Sequence, residues 1–312
     1  MRNNPRLHRH PRGVALIAVI WLIAVLAMAC MATLRVISFD MELATSKVHG
    51  TRALQIAEMG IAIGCNPSVE RDDPLLHQLN QDTGEGFEVE IKSEGARFNP
   101  NVMLMSNDTS LLRSIFIDWG LTLEEAQALT DALTDWVDDN DEVSLNGAEE
   151  TYYNNIGRIN QPFNRPFYNL EEMRLVRGMD QVERLKPDWR DWFSVWSGGK
   201  LDVNEASAEL IAAAAECAVE VAKVIPQTVA GPDGIRGTDD DVPFQSAEDA
   251  LVILGSGAAQ REDILARFTA NDPTTRIEST GYASGAKRKI TVIVGSRTGR
   301  PSLYDRIEEI VP

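Results

Sequence analysis

The chain has 312 residues, 25% of them charged, with 47 acids against 30 bases and a net charge of −17. So acidic a surface is a poor match for nucleic acid or anionic lipid and suits divalent cations or basic partners. Its four histidines form no His-x-x-x-His pair, with His8 and His10 in a basic leader and His49 and His77 isolated. With no Gly-x-Ser-x-Gly elbow and no phosphate-cradling glycine loop either, the composition argues against an enzyme.

The first element is a leader from Met1 to Gly13, holding Arg2, Arg6, Arg9 and Arg12 and no acid, followed by an apolar run from Val14 to Leu34. That run carries no charge over twenty-one positions, enough for one helix to cross a bilayer at about 1.5 Å per residue. Basic residues ahead of the span predict a cytoplasmic leader and export of everything after Arg35. A cleaved secretory signal is the competing reading, since Ala27, Ala29 and Ala32 would permit a cut. Such signals have a shorter core of about 7–15 residues, and here the helical pattern continues. From Val36 to Gly64 there is no proline, and Val36, Phe39, Leu43, Val48, Leu54, Ile56, Ile61 and Ile63 recur at roughly helical spacing. The spacing predicts one helix that leaves the membrane, becomes amphipathic and ends near Asn66–Pro67. Beyond Arg35, 30 bases less five arginines leave 25 against 47 acids, a balance of −22.

Phe87 to Lys92 alternates apolar and polar residues and reads as a strand with one face on a core. From Ser110 to about Met179 the pattern is helical, with Leu111, Leu112, Ile115 and Phe116 on one face. Thr122 with Glu125, and Asn169 with Glu172, are capping-box pairs, and Gly178 stops the second segment. Further helices are predicted from about Ala206 to Val224 and from Ser246 to Leu254. Two strands close the chain, Arg276–Ala283 and Lys287–Gly295, joined by the hairpin signal Ser284-Gly285. A first strand and a last hairpin thus flank a helical block. The expected fold is α+β, a small antiparallel sheet packed on the N-terminal helix with a large α-helical domain inserted. The expected division is 1–13 leader, 14–34 membrane part of the helix, 35–100 amphipathic helix and first strand, 101–270 inserted domain, and 271–312 closing strands.

Two acidic stretches carry candidate chemistry. Asp135 to Glu150 holds seven carboxylates in sixteen residues at a helix C-terminus, where the helix dipole makes negative charge costly. A hard cation would relieve that, and calcium takes six to eight oxygens. Counting from Asp138 places Asp138, Asn140, Glu142 and Glu149 at EF-hand positions, but Val143 stands where that loop needs glycine, so this is not an EF-hand. The second stretch, Gly231 to Phe244, gathers Asp233 with Asp239, Asp240 and Asp241 around glycine turns, a weaker candidate for calcium. Leu201 to Ala214 resembles the opening of a helix-hairpin-helix. No glycine-bounded hairpin follows at Cys217-Ala-Val-Glu-Val-Ala, and no base lies between Lys200 and Lys223 to meet a phosphate, so nucleic acid is not an expected partner. Cys30 lies in the apolar run; Cys65 and Cys217 could pair in an oxidising compartment.

A basic leader ending in Gly13, ahead of an apolar helix that turns amphipathic, resembles the type IV pilin and pseudopilin class. That resemblance implies cutting by a prepilin peptidase between Gly13 and Val14 and a type IV pilin-like fold. Most members carry Glu five residues into the mature chain, where this one has Ala18. In the family that Glu is thought to neutralise a neighbour's terminal amine, so its absence suits a subunit with no neighbour above it and puts methylation of Val14 in question. The succession DWVDDND…GAEETYY, PFYNLEEMRLVRGM, LDVNEASAELIAA and IESTGYA behind RGVALI resembles the K-type minor pseudopilins of type II secretion. This implies a place at the tip of a periplasmic pseudopilus with I-type and J-type minor pseudopilins, contact with an inner-membrane assembly platform, and calcium in the inserted domain. By position Asp138, Asp139, Asn140, Asp141, Glu149 and Glu150 are the expected ligands. The protein is then expected to span the inner membrane once, its N-terminus cytoplasmic and its C-terminal domain periplasmic. The alternatives are a minor pilin of a related type IV pilus or a membrane-anchored calcium-binding periplasmic protein.

Overall fold

The computed structural model describes residues 12–106, 109–238, 240–255 and 257–311, so most of the leader and Asp239 lie outside the described residues. Helix α1 runs unbroken from Arg12 to Gly64. Every residue from Leu16 to Val48 is exposed, and packing begins at His49 and Gly50. From there small residues face the sheet: Ala53 and Ala57 are fully buried, and Gly60 and Gly64 sit where a Cβ would strike Ser279, Val89 or Ile277. The approach is close enough that a Cβ on Gly281 of the facing strand would strike the Ala53 carbonyl oxygen. A stripe of Gly and Ala at three- and four-residue spacing is what lets a helix lie this near to a strand.

The strands of the main sheet are β1 (His77–Leu79), β2 (Gly86–Ser93), β5 (Thr275–Ala283), β6 (Ala286–Val294) and β7 (Leu303–Val311); the short parallel pair β3 (Leu201–Asp202) and β4 (Phe268–Thr269) belongs to the helical block. All five pair antiparallel, in the order β1-β2-β5-β6-β7. Phe87, Val89, Ile91, Ile277, Ile290, Val292 and Val294 form one core with α1. β2 alternates as expected, and the Ser284-Gly285 turn, at φ 48° and 85°, joins β5 and β6 where the sequence predicts a hairpin. The strand β7 is additional to the sequence expectation.

Between β2 and β5 lie ten helices among the described residues: α2 (Pro100–Met105), α3 (Thr109–Asp118), α4 (Leu123–Val137), α5 (Glu150–Asn155), α6 (Met179–Leu185), α7 (Ala208–Ala215), α8 (Val219–Ala222), α9 (Val224–Val229), α10 (Ala247–Val252) and α11 (Glu262–Leu265). They enclose a second, larger core built on Leu112, Ile115, Phe116, Leu133, Trp136 and Trp189. The expected single helix from Ala206 to Val224 is instead two, α7 and α8, with α9 starting at Val224 where the expected helix would end. Glu216 caps α7 in the left-handed region at φ 52°, supplying the turn that glycine usually makes. The hairpin that the sequence lacked a glycine for is therefore present. The Asn169 segment is a 3-10 turn, Leu170–Leu175, that ends at Val176 and not at the expected Gly178, which at φ 93° is instead the N-cap of α6.

On the sheet face away from α1, Glu278 accepts a hydrogen bond from Lys289 at 2.9 Å and lies 3.6 Å from Lys92 and 3.7 Å from Arg276. Burial raises its carboxyl, but Lys289, Lys92 and Arg276 together bring it below the ordinary value of 4.5. A carboxylate depressed on folding stabilises above its unfolded pKa and loses that contribution as pH falls through the folded one. The acid limb below about pH 4.5 is therefore expected to flatten in Glu278→Gln, which is also less stable than the parent at pH 7. Urea midpoints from pH 7 to pH 3 measure this; parallel limbs in the two proteins would remove the assignment.

Candidate functional site

The first acidic stretch is shaped by α4. Thr122 and Glu125 close the capping box at its start, and the helix runs to Val137 with Asp138 as the C-cap, extended at ψ 165°. Asp135, on the last turn, is fully buried and turns inward. It accepts from the Ser144 N–H at 3.2 Å, and Gly147 crosses so close that a Cβ there would strike Asp135 Oδ2. The loop returns to Glu149, 4% exposed, which caps α5 through the Glu150 N–H at 3.3 Å. Its other oxygen, Oε1, is buried with no hydrogen-bond partner.

Negative charge accumulates here without compensation. The Glu149 carboxyl is pushed up to about 7, first by burial and then by Asp135, Asp138 and Asp141. Asp138 is raised by burial and by Asp135 and Asp139, against a hydrogen bond from Asn140. A second segment closes over the loop: Asn164 Nδ2 donates to the Asn140 carbonyl at 3.2 Å and to Asp141 Oδ1 at 3.1 Å, while Asn164 Oδ1 is buried and unpartnered. Orphaned buried oxygens next to crowded carboxylates are the donor chemistry of a calcium site.

Of the expected ligands, Asp138, Asn140, Asp141 and Glu149 are thus brought to one loop. Asn140 and Asp141 are exposed but tied to Asn164; Asp139 is exposed without that tie, and Glu150 is exposed with its Oε1 bound by Asn154 at 3.2 Å. Asp135 and Asn164 are the loop residues that the sequence pattern does not single out. For Asp135 a signal exists, as a carboxylate on the buried face of α4, three residues before Asp138. Among the described residues no three His, Cys, Asp or Glu side chains already converge as a metal group. A cation would therefore draw on amide and main-chain oxygens together with the carboxylates, as calcium does.

The second stretch is folded on itself. Asp233 Oδ1 accepts from the Ile235 N–H at 2.7 Å, Asp241 Oδ2 from the Gly237 N–H at 2.7 Å, and Asp240 from the Thr238 hydroxyl at 2.7 Å and the Asp233 N–H at 3.0 Å. Thr238 holds the Asp240 carboxyl below its ordinary range. Asp233, Asp240 and Asp241 come together, but their oxygens mostly serve the turn, leaving Asp241 Oδ1 as the buried unpartnered one. Cys65 and Cys217 are both free thiols. They do not form the pair that an oxidising compartment would allow, because Cys65 packs on the sheet core and Cys217 on the helical core. Gly13 and Val14 have helical backbone at the start of α1.

Residues 96–187, which contain the first acidic loop, match the family described as type II secretion system protein K. The chain is 37% identical over 79 residues to the type II secretion system protein K of Dickeya chrysanthemi, a match spanning 25% of this chain and only 21% of that protein. It is 25% identical over 260 residues to the protein of the same name from Pseudomonas aeruginosa, covering 75% of this chain and 77% of the other. The solved GspK-GspI-GspJ complex of the type 2 secretion system from enterotoxigenic Escherichia coli contains a chain of similar fold. That chain superposes with a TM-score of 0.56 at 13% identity, covering 89% of this chain and 99% of the other.

Proposed function

The chain belongs to the protein K family of type II secretion systems, the K-type minor pseudopilins, and from that premise we propose that it acts by assembly. Its apolar helix inserts among the helices of other pseudopilins in the inner membrane, and its bulky periplasmic body sits at the tip of the pseudopilus. One observation carries this reading. A continuous helix of 53 residues exposes every apolar side chain from Leu16 to Val48 and carries the folded body only on its last turns. A helix apolar all round is stable only where other helices or lipid surround it. Without the usual Glu at Ala18, the helix has no carboxylate to offer a subunit above, which suits a terminal position. The leader is removed between Gly13 and Val14 by a prepilin peptidase, and the inner-membrane platform drives the assembly.

The partners are I-type and J-type minor pseudopilins, a choice supported by the solved complex, in which GspK stands together with GspI and GspJ. Residues 36–312 retain the buried residues of the described chain, since among the described residues packing begins at His49. Titration of that fragment with the soluble domains of I-type and J-type partners is expected to give a complex at micromolar concentration; no complex at about 100 μM, weaker than roughly −5.5 kcal/mol, would end the proposal.

Calcium is the cation for the first loop, held by Asp135, Asp138, Asp141, Glu149 and the oxygens of Asn140 and Asn164, with the second loop a weaker site. Bound calcium supplies the positive charge that this loop lacks. At about a hundredfold excess over its dissociation constant an ion adds about 2.7 kcal/mol, or on the order of 5–10 °C in a domain of this size. Melting residues 36–312 with calcium and with chelator is expected to differ by that amount, and Glu149→Gln to shrink the difference. Coincident melting curves would remove calcium from the proposal and leave assembly standing.

A further inference from the structure

The sheet has two edges of unequal length. β1 is three residues long and β7 is nine, and no strand lies beyond β7 among the described residues. Alternate residues of an antiparallel strand turn N–H and C=O away from the neighbour, so β7 offers unpaired main-chain groups over about 30 Å. Proteins usually blunt such an edge with a proline, a lysine or brevity. Between Leu303 and Val311 there is neither proline nor lysine. A bulge does occur, because Val294 faces Leu303 and Ile293 faces Asp305, with Tyr304 as the extra residue. It sits at one end and leaves Asp305 to Val311 in regular register.

The side chains of that regular part divide clearly. Arg306 reaches Glu58 on α1, so Arg306, Glu308 and Ile310 share the helix side. Asp305, Ile307 and Glu309 face the other way, beside Ile293, Thr291 and Lys289 of β6. There Asp305 and Ile307 form one wall of a groove of about 200 Å³ whose opposite wall includes Leu170, Val195 and Trp196. Ile307 is 45% exposed and Ile310 75%. The bases nearby are already engaged, Arg306 with Glu58 and Glu308, and Arg190 with Glu171 and Glu183. Lys289 is held by Glu278. Asp305 accepts only the Arg306 N–H, and neither Asp305 nor Glu309 makes an ion pair among the described residues.

We propose that the β7 edge is a docking strand for an extended segment of another polypeptide in which basic and apolar residues alternate. The segment adds as a sixth strand through main-chain hydrogen bonds. Its bases fall on the groove side, beside Asp305 and Glu309, and its apolar side chains fall on the helix side, beside Ile310. A second copy of this chain does not fit the same edge. Antiparallel pairing of two β7 strands about Ile307 would set Asp305 opposite Glu309 twice, which is unfavourable, while the Arg306 and Glu308 side chains it also opposes are already paired within each chain and gain little.

The test uses the full-length protein in detergent micelles and fluorescent nonapeptides. The probes are an alternating Lys-Val peptide, the same peptide with alternate amides N-methylated along one edge, and a Glu-Val peptide. Saturable binding of the Lys-Val peptide is expected, with slowed amide exchange confined to residues 303–311. Methylation is expected to weaken it about tenfold or more, as is the double variant Asp305→Lys, Glu309→Lys, while the Glu-Val peptide gains affinity for that variant. The methylated peptide leaves the protein untouched, so its result does not depend on how the variant folds. The proposal is overturned by no saturation at about 1 mM peptide, by binding indifferent to methylation, by protection elsewhere in the chain, or by equal binding of both charge types. Self-association of the protein through β7 would overturn it equally.

Discussion

Glu94→Ala is expected to remove about 3–5 kcal/mol from the folded protein, the usual cost of deleting one partner of a buried ion pair. Glu94 follows β2, is 1% exposed, and marks where the chain leaves the sheet for the helical block. Its carboxylate accepts from the Ser194 hydroxyl, on the helical block, and from Arg276 Nε, on β5. Arg97 lies 3.9 Å from the same oxygen as Arg276. The Arg97 guanidinium is held below its ordinary range by burial and by the charge of Arg276, so removing Glu94 leaves two half-buried cations facing each other. Around them, Asp272 accepts from the Gly198 N–H at 2.7 Å and the Thr274 N–H at 2.8 Å, and Asp202 from the Asp272 N–H at 2.9 Å. Both strands of chain crossing between sheet and helices are tied to carboxylates. The variant is therefore expected to unfold in two steps by urea, the helical block separating from the sheet, where the parent unfolds in one. Glu94→Gln should lose less, because it keeps one acceptor for Ser194. A loss below about 1 kcal/mol would mean that the two guanidiniums are solvated well enough to need no partner.

The parts of the fold that are legible in the sequence are those with a strong local signal. The Thr122–Glu125 capping box, the alternation of β2 and the Ser284-Gly285 turn each satisfy local hydrogen bonds and so leave a mark in neighbouring residues. β7 leaves none. As an edge strand it leaves both faces largely exposed, so Leu303 to Val311 shows no apolar period to read. The break at Glu216 is also invisible, since only tertiary packing can hold a glutamate at φ 52°. The candidate site divides in the same way. Asp138 to Asp141 are visible as a charge run, but Asn164, 23 residues from Asp141, reaches the loop only because the chain folds back over it. Which carboxylates turn inward depends on the path of that loop, so charge density alone counts the buried Asp135 and the exposed Asp139 and Glu150 alike and does not tell them apart.

Trp136→Ala is expected to have the other large effect, about 3–5 kcal/mol for emptying a fully buried indole site. Trp136 is 0% exposed and lies edge-on to Tyr153 and to Phe163, each at 5.3 Å between ring centres, and parallel to Phe167 at 6.4 Å. Its neighbours in sequence and space tie it to the acidic loop. Asp135 precedes it, Tyr153 belongs to the helix that Glu149 caps, and Phe163 precedes Asn164. One ring thus clamps the three segments whose oxygens would surround the proposed cation. Removing it should lower the melting temperature in chelator and should also shrink the calcium-dependent gain, because the segments must then be ordered by the ion itself and the ordering entropy is drawn from the binding energy. Trp136→Phe keeps most of the clamp and is expected to retain most of that gain. The diagnostic quantity is the difference between calcium and chelator melting temperatures in the three proteins. If Trp136→Ala lowers both temperatures equally, the ring serves only the helical core, and the loop is shaped by its own hydrogen bonds.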